Sequence, residues 1–382
     1  MRITAVETLA LNRAITVHAG PISWLWVRVH TDEGLVGLGE TYPAAATAAT
    51  AVHESLAPVV LGEDARDITR IWQRMFQAVS YHGWAGAEMR ALSAVDLALW
   101  DLAGKAAGVP VYRLLGGLTR DRIRTYNTCY DHRFDFRTEA AALARDLLAS
   151  GIRAMKIWPF DEIALANGGQ HITPVETEVG LAPLRAIRDA VGTEMDVAIE
   201  LHGYWNLPSA SAIARALEPY SPMWLEEPLP QDNLDAYAQL KNDTRLPLVL
   251  SERLMTRWQF REVVERGLAR FVNPDPCWCG GLTEARAIAT LADTAYVPIA
   301  PHNCGGPVLH AACLHLSAAV PNLFVLESVR RHYLQDYRDV VSGTPAAAEG
   351  GVFQPPETPG LGVELSPALL SRADVAVRRT AA

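Results

Sequence analysis

Three glutamates, Glu200, Glu226 and Glu252, stand 26 residues apart, and each closes a short apolar run: VAIE, MWLE and LVLSE. Three carboxylates with no Cys or His among them make a hard, oxygen-rich donor set that suits Mg²⁺ or Mn²⁺ and not zinc. The spacing adds a geometric reason. A (β/α)₈ barrel returns the chain to one rim after every strand and helix, and the rim at the strand C-termini is where barrel enzymes carry their chemistry. One such glutamate alone reads as a surface residue, as most do; the spaced set reads as a divalent-cation site. Further polar residues fall at the ends of neighbouring apolar runs: Lys156, His202 two residues past Glu200, Asp275, His302 and Glu327. Singly, each has an ordinary reading as a snorkelling lysine, a loop histidine or a salt-bridged acid. Gathered on one rim, they point to a catalytic site.

The elements that must position these residues follow from periodicity. Residues 1 to 40 alternate apolar and polar side chains, with Asp32-Glu33-Gly34 between two such runs marking an antiparallel hairpin. Helical patterns follow near 45–60, 66–79 and 86–107, giving an α+β domain. From about 120 the rhythm changes. Apolar runs at 123–129, 153–158, 195–201, 222–226, 247–251, 270–274, 296–300 and 322–326 alternate with helical segments such as TEAAALARDLLAS. Eight strands with seven helices between them predict an α/β chain whose second part is a slightly shortened, (β/α)₇β-type TIM barrel. The predicted division is 1–118, 119–330 and a loop-rich 331–382 that packs back across the first domain. Residues 159–176 form a long excursion after the second strand, readable equally as a cover for the site or a plain surface insertion.

Composition bounds the function. The chain has 382 residues, 49% of them hydrophobic and 20% charged, as in a soluble globular protein with about two domains. A formal net charge of −9 argues against nucleic acid and anionic membranes as partners, while leaving room for an anionic small molecule beside a bound cation. No apolar span reaches the ~20 residues of a membrane helix, and MRITAVETLAL reads as a strand and not a signal peptide, so a cytoplasmic location is expected. The five cysteines, 129, 277, 279, 304 and 313, contain no CxxC pair and are expected to be reduced, with Cys277 and Cys279 in packing roles.

With these residues in view, the chain resembles the enolase superfamily, of the mandelate racemase / muconate lactonizing enzyme type, in its acid-sugar dehydratase branch. SAVDLALWDLAGKAAGVPVYRLLGG, WLEEPL, SERL, NPDPCWCGGLTEA, PHNCGGP and LES stand in family order along nearly the whole chain. The resemblance implies an N-terminal α+β capping domain completed by the C-terminal segment, and Mg²⁺ held by Glu200, Glu226 and Glu252. It also implies removal of the proton α to a substrate carboxylate, through an enediolate, by a His302–Asp275 dyad, with Lys156 and Glu327 at the carboxylate end. Such chemistry needs fixed positive charge where the enediolate forms, and a base with Mg²⁺ is how superfamily sites meet that need. N-terminal loops carrying His18, Tyr81, His82 and Trp84 would select the distal end of the substrate, although Tyr81 and Trp84 read equally well as packing between domain and barrel. Relatives often form even-numbered homo-oligomers.

Two departures from the family pattern are informative. Where many relatives have Lys-x-Lys, this chain has Lys156-Ile157-Trp158; an indole accepts no proton, so Trp158 becomes a substrate-binding candidate and not a second base. Glu200 stands where an aspartate is more usual. His202 resembles a histidine that gives a proton to a departing β-hydroxyl, a step hydroxide loss requires; its alternative is an orienter of the adjacent ligand. The expected activity is therefore dehydration of an aldonic or aldaric sugar acid to a 2-keto-3-deoxy acid. The alternatives are a racemase or epimerase of a 2-hydroxy acid with the two histidines on opposite faces, a Schiff-base aldolase using Lys156, and a non-catalytic binding protein on the same scaffold.

Overall fold

A computed structural model of the chain describes every residue except 18, 19, 82, 131, 132 and 344, and the side chains of all but residues 12–22 among the remainder. The expected substrate contacts His18 and His82 lie outside the described residues.

The N-terminal alternation folds as an antiparallel meander of β1 (Ile3–Val17), β2 (Gly20–Thr31) and β3 (Val36–Thr41). Its second turn is the expected Asp32-Glu33-Gly34, with the Gly34 amide donating to the Thr31 carbonyl at 3.2 Å. Helices α1 (Ala45–Ala51), α2 (Ile68–Ser80) and α3 (Ala87–Ala107) follow. α3 is apolar on almost every side because it lies between β3 and the barrel. Glycine at 39 permits this approach: a Cβ there would meet the Ala94 carbonyl oxygen at 1.8 Å. On the barrel side, Thr283 donates through its hydroxyl to Asp96 at 2.6 Å, and Trp100 donates to that hydroxyl at 3.0 Å.

The barrel strands are β4 (Ile123–Thr128), β5 (Ala154–Ile157), β6 (Asp196–Glu200), β7 (Trp224–Glu226), β8 (Leu248–Val249) and β9 (Leu326–Ser328), parallel throughout. β9 pairs with β4 and closes the ring. The sixth and seventh apolar runs contribute single parallel bridges, Val249 to Phe271, Val272 to Ile299 and Ile299 to Leu323, in place of ladders. Prolines 274, 276, 298 and 301 bracket those runs and have no N–H to donate, which keeps the pairing short. The seven intervening helices are Ala140–Ala149, Pro174–Val191, Leu207–Leu217, Leu234–Asp243, Thr256–Glu265, Gly281–Thr294 and Pro307–Ala319. An extra short helix, Asp161–Asn167, occupies the excursion after β5.

Strand alternation decides what faces the barrel interior. On β5, Ala154 and Lys156 point inward while Met155 and Ile157 join the barrel–helix core; on β6 and β7 the inward sets are Ala198 with Glu200 and Trp224 with Glu226. The lower interior is filled by Tyr126, Trp224, Phe271 and Phe324, with small Ala154, Ala198 and Ala300 opposite them. The upper layer is therefore polar and rests on a solid aromatic floor.

The C-terminal segment does complete the first sheet: its last strand, Val375–Ala381, runs antiparallel to β1. It touches the barrel on the way, where Val352–Phe353 pairs with Arg124 and Ile123. Those two residues lie below the positions at which β4 meets β5 and β9, so their backbone groups need this partner. Among the described residues, no helix is long and apolar enough to cross a membrane, and none of the five cysteines is in a disulfide.

Candidate active site

Register brings the first two glutamates together. Glu200 and Glu226 are direct partners on β6 and β7. Glu226 also faces Val249 on β8, so Glu252 stands three residues beyond the register position, in the turn that leaves the strand. Equal spacing along the chain thus gives two carboxylates in register and a third that reaches in from a loop. All three still present oxygens within 4.8 Å of one another.

Lys156 is the cation of this layer. Its register partners are Thr128 and Ala198, and its ammonium reaches up to Glu226 and Glu327 at 2.9 Å each and to Glu200 at 3.2 Å. Burial opposes the charge, yet the carboxylates of Glu226 and Glu327 hold the lysine protonated well above its usual range. Glu226 also accepts from the Asn273 amide at 2.8 Å and from the Trp224 indole at 2.9 Å. Burial and the neighbouring Glu200 carboxylate push Glu226 well above the usual carboxylate range, because one lysine does not balance the set. Glu327 accepts from the Thr128 hydroxyl and from the Asn303 amide, the latter at 2.9 Å, and belongs to the same layer.

These residues fit a hard divalent cation. The donors are carboxylate oxygens, buried or nearly so, and the Glu200 Oε2 atom faces the Lys156 ammonium at 3.2 Å without a well-aligned hydrogen bond. A Mg²⁺ or Mn²⁺ ion among them would relieve the burial and mutual repulsion that push Glu226 up.

His302 lies against this cluster, with Nε2 at 3.1 Å from Glu252 and Nδ1 at 2.8 Å from Asp275 Oδ2. Asp275 is fully buried and also receives the Cys277 amide at 2.6 Å and the Tyr42 hydroxyl at 2.7 Å. The dyad expected from sequence is therefore assembled, and the capping domain supplies a third member. Burial opposes a charge on His302, but Glu252 and Glu327 hold it protonated well above its usual range. Cys304 borders His302 and Glu327; burial pushes its thiol up to about 12, so it stays neutral there.

His202 follows the end of β6 in a left-handed backbone conformation (φ 49°), which turns its ring across the mouth. Its amide donates to Glu200 at 2.9 Å, and its Nδ1 lies 2.6 Å from Asp161 Oδ2. Burial lowers its pKa, but the charges of Glu200 and Asp161 outweigh this and raise it to about 9. Trp158 stands edge-on to the His202 ring, with centroids 6.1 Å apart.

Not every expected residue joins the cluster. Tyr81 is 97% exposed, and Trp84 rests edge-on against Phe76 in the packing of the first domain. Tyr42, Arg90, Asn273 and Asp161 also border the site without having been expected there. Tyr42 directly follows β3, and Arg90 lies 3.9 Å over the Trp278 ring beside it; neither position carries a motif. Asn273 could have been found, since it lies two residues before Asp275 on an inward-facing run.

Two family models match the chain, the mandelate racemase / muconate lactonizing enzyme N-terminal domain over residues 8–116 and the enolase C-terminal domain-like model over 139–369. Relatives named D-galactonate dehydratase include one from Ralstonia nicotianae, 37% identical over 93% of this chain and 92% of its own. Another, from Xanthomonas campestris pv. campestris, is 36% identical over 96% and 94%. Among solved structures, an enolase of the mandelate racemase subgroup from Agrobacterium tumefaciens is 43% identical, with a TM-score of 0.90 over 100% of this chain and 99% of that one. An enolase protein from the Sargasso Sea environmental genome is 39% identical, with a TM-score of 0.91 over 100% and 99%. A carboxylate layer on β6 and β7, a His–Asp pair beside it and these likenesses agree: the chain belongs to the mandelate racemase / muconate lactonizing enzyme family of the enolase superfamily, and within it to the hydro-lyases.

Proposed function

We propose that this enzyme dehydrates an aldonic or aldaric sugar acid to a 2-keto-3-deoxy acid. The observation that carries the reading is the placement of two histidines at one carboxylate layer, each with its own carboxylate partner: His302 with Asp275, and His202 with Asp161. One histidine accepts the C2 proton and the other gives a proton to the C3 hydroxyl.

His302, held by Asp275, would take the proton from C2 through Nε2, the nitrogen that faces the layer, in the neutral form open to it when Glu252 serves a cation and no longer keeps that nitrogen protonated. Lys156 places fixed positive charge beside the substrate carboxylate, where negative charge grows as the C2–H bond breaks and the enediolate forms. Glu200, Glu226 and Glu252 would hold Mg²⁺, which supplies further positive charge for that carboxylate when bound. His202 then protonates the departing hydroxyl. The aromatic floor under the layer keeps water from approaching from below, and Trp158 and Tyr204 flank the acid on the mouth side. Trp158, just past the end of β5, stands where a second lysine base would, which favours elimination over return of a proton to the opposite face.

The curated relatives make D-galactonate the first acid to test. A panel of aldonic and aldaric acids incubated with enzyme and Mg²⁺ should yield a keto acid trapped by semicarbazide from at least one member. Incorporation of solvent deuterium at C2 with no keto acid from any member would instead support the epimerase reading.

A further inference from the structure

The proposed acid, His202, has a partner that its own strand does not provide. Asp161 opens the short helix Asp161–Asn167 in the excursion after β5, is fully buried, and places Oδ2 at 2.6 Å from His202 Nδ1. From this geometry we infer that Asp161 is the positioning residue for His202 in the dehydration step, and that the excursion 159–176 exists to deliver it. The inference rests on the dehydratase reading above.

Several features hold the two loops as one unit. Phe160 packs against the helix Pro174–Val191 so closely that a Cβ on Gly180 would meet its ring at 2.1 Å. Gly169 lies against the loop after His202, where a Cβ would meet the Tyr204 carbonyl oxygen at 1.8 Å. The Asn206 amide donates to the Gly169 carbonyl at 3.1 Å, and its side chain donates to the Gln170 carbonyl at 2.8 Å. The excursion is thus joined to the loop that carries the acid on the far side of the Asp–His pair. His202 and Gly203 both take positive φ, 49° and 65°, so a residue with a Cβ is held in a sparsely populated conformation at this spot. The turn swings the imidazole towards Asp161, and Trp158 and Tyr204 limit its rotation, with centroids at 6.1 and 5.8 Å.

The chemical consequence is a choice between two ring nitrogens. With Nδ1–H donated to Asp161, Nε2 is the nitrogen left to transfer a proton. In the step itself His302 Nε2 takes the C2 proton, the electron pair left behind passes through the enediolate into the C2=C3 double bond, and the C3–O bond breaks. The proton on Nε2 joins the leaving oxygen, which departs as water. The enol product takes a proton at C3 and loses its hydroxyl proton to give the 2-keto acid, and both histidines return to their starting states by exchange with solvent. An imidazole free to rotate, or protonated on the wrong nitrogen, would still allow C2 deprotonation by His302 but would stall C–O cleavage.

The test uses Asp161→Asn, Asp161→Ala and the conservative Asp161→Glu in the full-length enzyme with Mg²⁺, on an acid the wild type turns over. At metal sites, loss of the hydrogen-bond partner that orients an imidazole costs about 10–100-fold in affinity or activity, and the same order is expected here. We expect kcat for keto-acid formation to fall by about that factor in the Asn and Ala variants, with KM little changed. Deuterium exchange at C2 of unreacted substrate should rise at least tenfold relative to elimination, and Glu should recover part of the rate. In a His202→Gln background, Asp161→Asn should have no further effect. Equal loss of exchange and elimination, or additive losses in the double variant, would overturn the inference.

A second measurement does not depend on turnover. Imidazole ¹⁵N shifts of His202 should show a protonated Nδ1 in the wild type and a redistributed proton in Asp161→Ala; identical spectra would overturn the positioning role. If no sugar acid is dehydrated and the spectra still change, the dehydratase reading fails and the Asp161–His202 link stands.

Discussion

Buried carboxylates in contact are costly to ionise unless positive charge is brought to them. Here Glu200, Glu226 and Glu327 all lean on the single Lys156 ammonium, and Glu252 leans on His302. That imbalance suits the cluster to a divalent cation and predicts how it would respond to one. A divalent ion present at ~100 times its dissociation constant should stabilise the folded state by about 2.7 kcal/mol, read as a rise in Tm on adding Mg²⁺ to chelator-treated protein. Glu226→Gln removes one donor and should reduce or abolish that rise; an undiminished Mg²⁺ response would place the ion elsewhere. His302→Asn should lower turnover by about 10²–10⁴-fold, the usual contribution of a general base, while the Mg²⁺-induced rise in Tm persists. Turnover near the wild-type level would remove His302 from the proposed base role.

At the level of elements, the capping sheet grips the barrel through the end of β3. Glu40 near the end of β3 accepts from the Trp26 indole at 2.9 Å and from the amides of Gly306, Val308 and Leu309 at 2.7, 3.1 and 3.3 Å. These amides open the helix Pro307–Ala319, four or more residues after His302, so a capping-domain carboxylate satisfies the orphan donors of a barrel helix. Glycine at 306 admits this carboxylate, since a Cβ would meet Glu40 Oε2 at 2.3 Å and displace it from the amides. Two residues further on, Tyr42 donates to Asp275. Glu40→Ala leaves several buried donors unpaired and should cost at least ~2 kcal/mol of stability, measured by denaturant unfolding with Mg²⁺ present. It should also lower kcat, because the same loop carries His302. A variant of unchanged stability would mean that water replaces the carboxylate without loss.

Across the whole molecule, the two chain ends meet: Val375–Ala381 pairs with β1 from Leu11 back to Ala5. This strand covers an edge that would otherwise expose unpaired backbone groups. At ~0.5–1 kcal/mol for each ladder hydrogen bond, deleting residues 375–382 should cost a few kcal/mol and lower Tm by several degrees in calorimetry. An unaltered melting profile would show that the strand adds nothing to the sheet. Strand and helix order, the turn at Asp32–Gly34 and the members of the rim were legible in the sequence, because hydrophobic period and strand-end position are local properties. Glu200 and Glu226 could be paired by counting residues, since parallel neighbours in a barrel repeat at nearly constant spacing. Register beyond the strand could not be counted, so Glu252 entered from a loop; nor could the thinning of the sixth and seventh strands to single bridges. The contacts of Trp84, Tyr42 and Asp161 were also hidden: each depends on which loops or domains meet across tens or hundreds of residues, and no periodicity in one chain encodes such a meeting. The sequence by itself determined that carboxylates and histidines would share a barrel rim. Only the tertiary structure decided which carboxylate holds which histidine, because a hydrogen bond of 2.6 or 2.8 Å is set by packing between segments and not by their order.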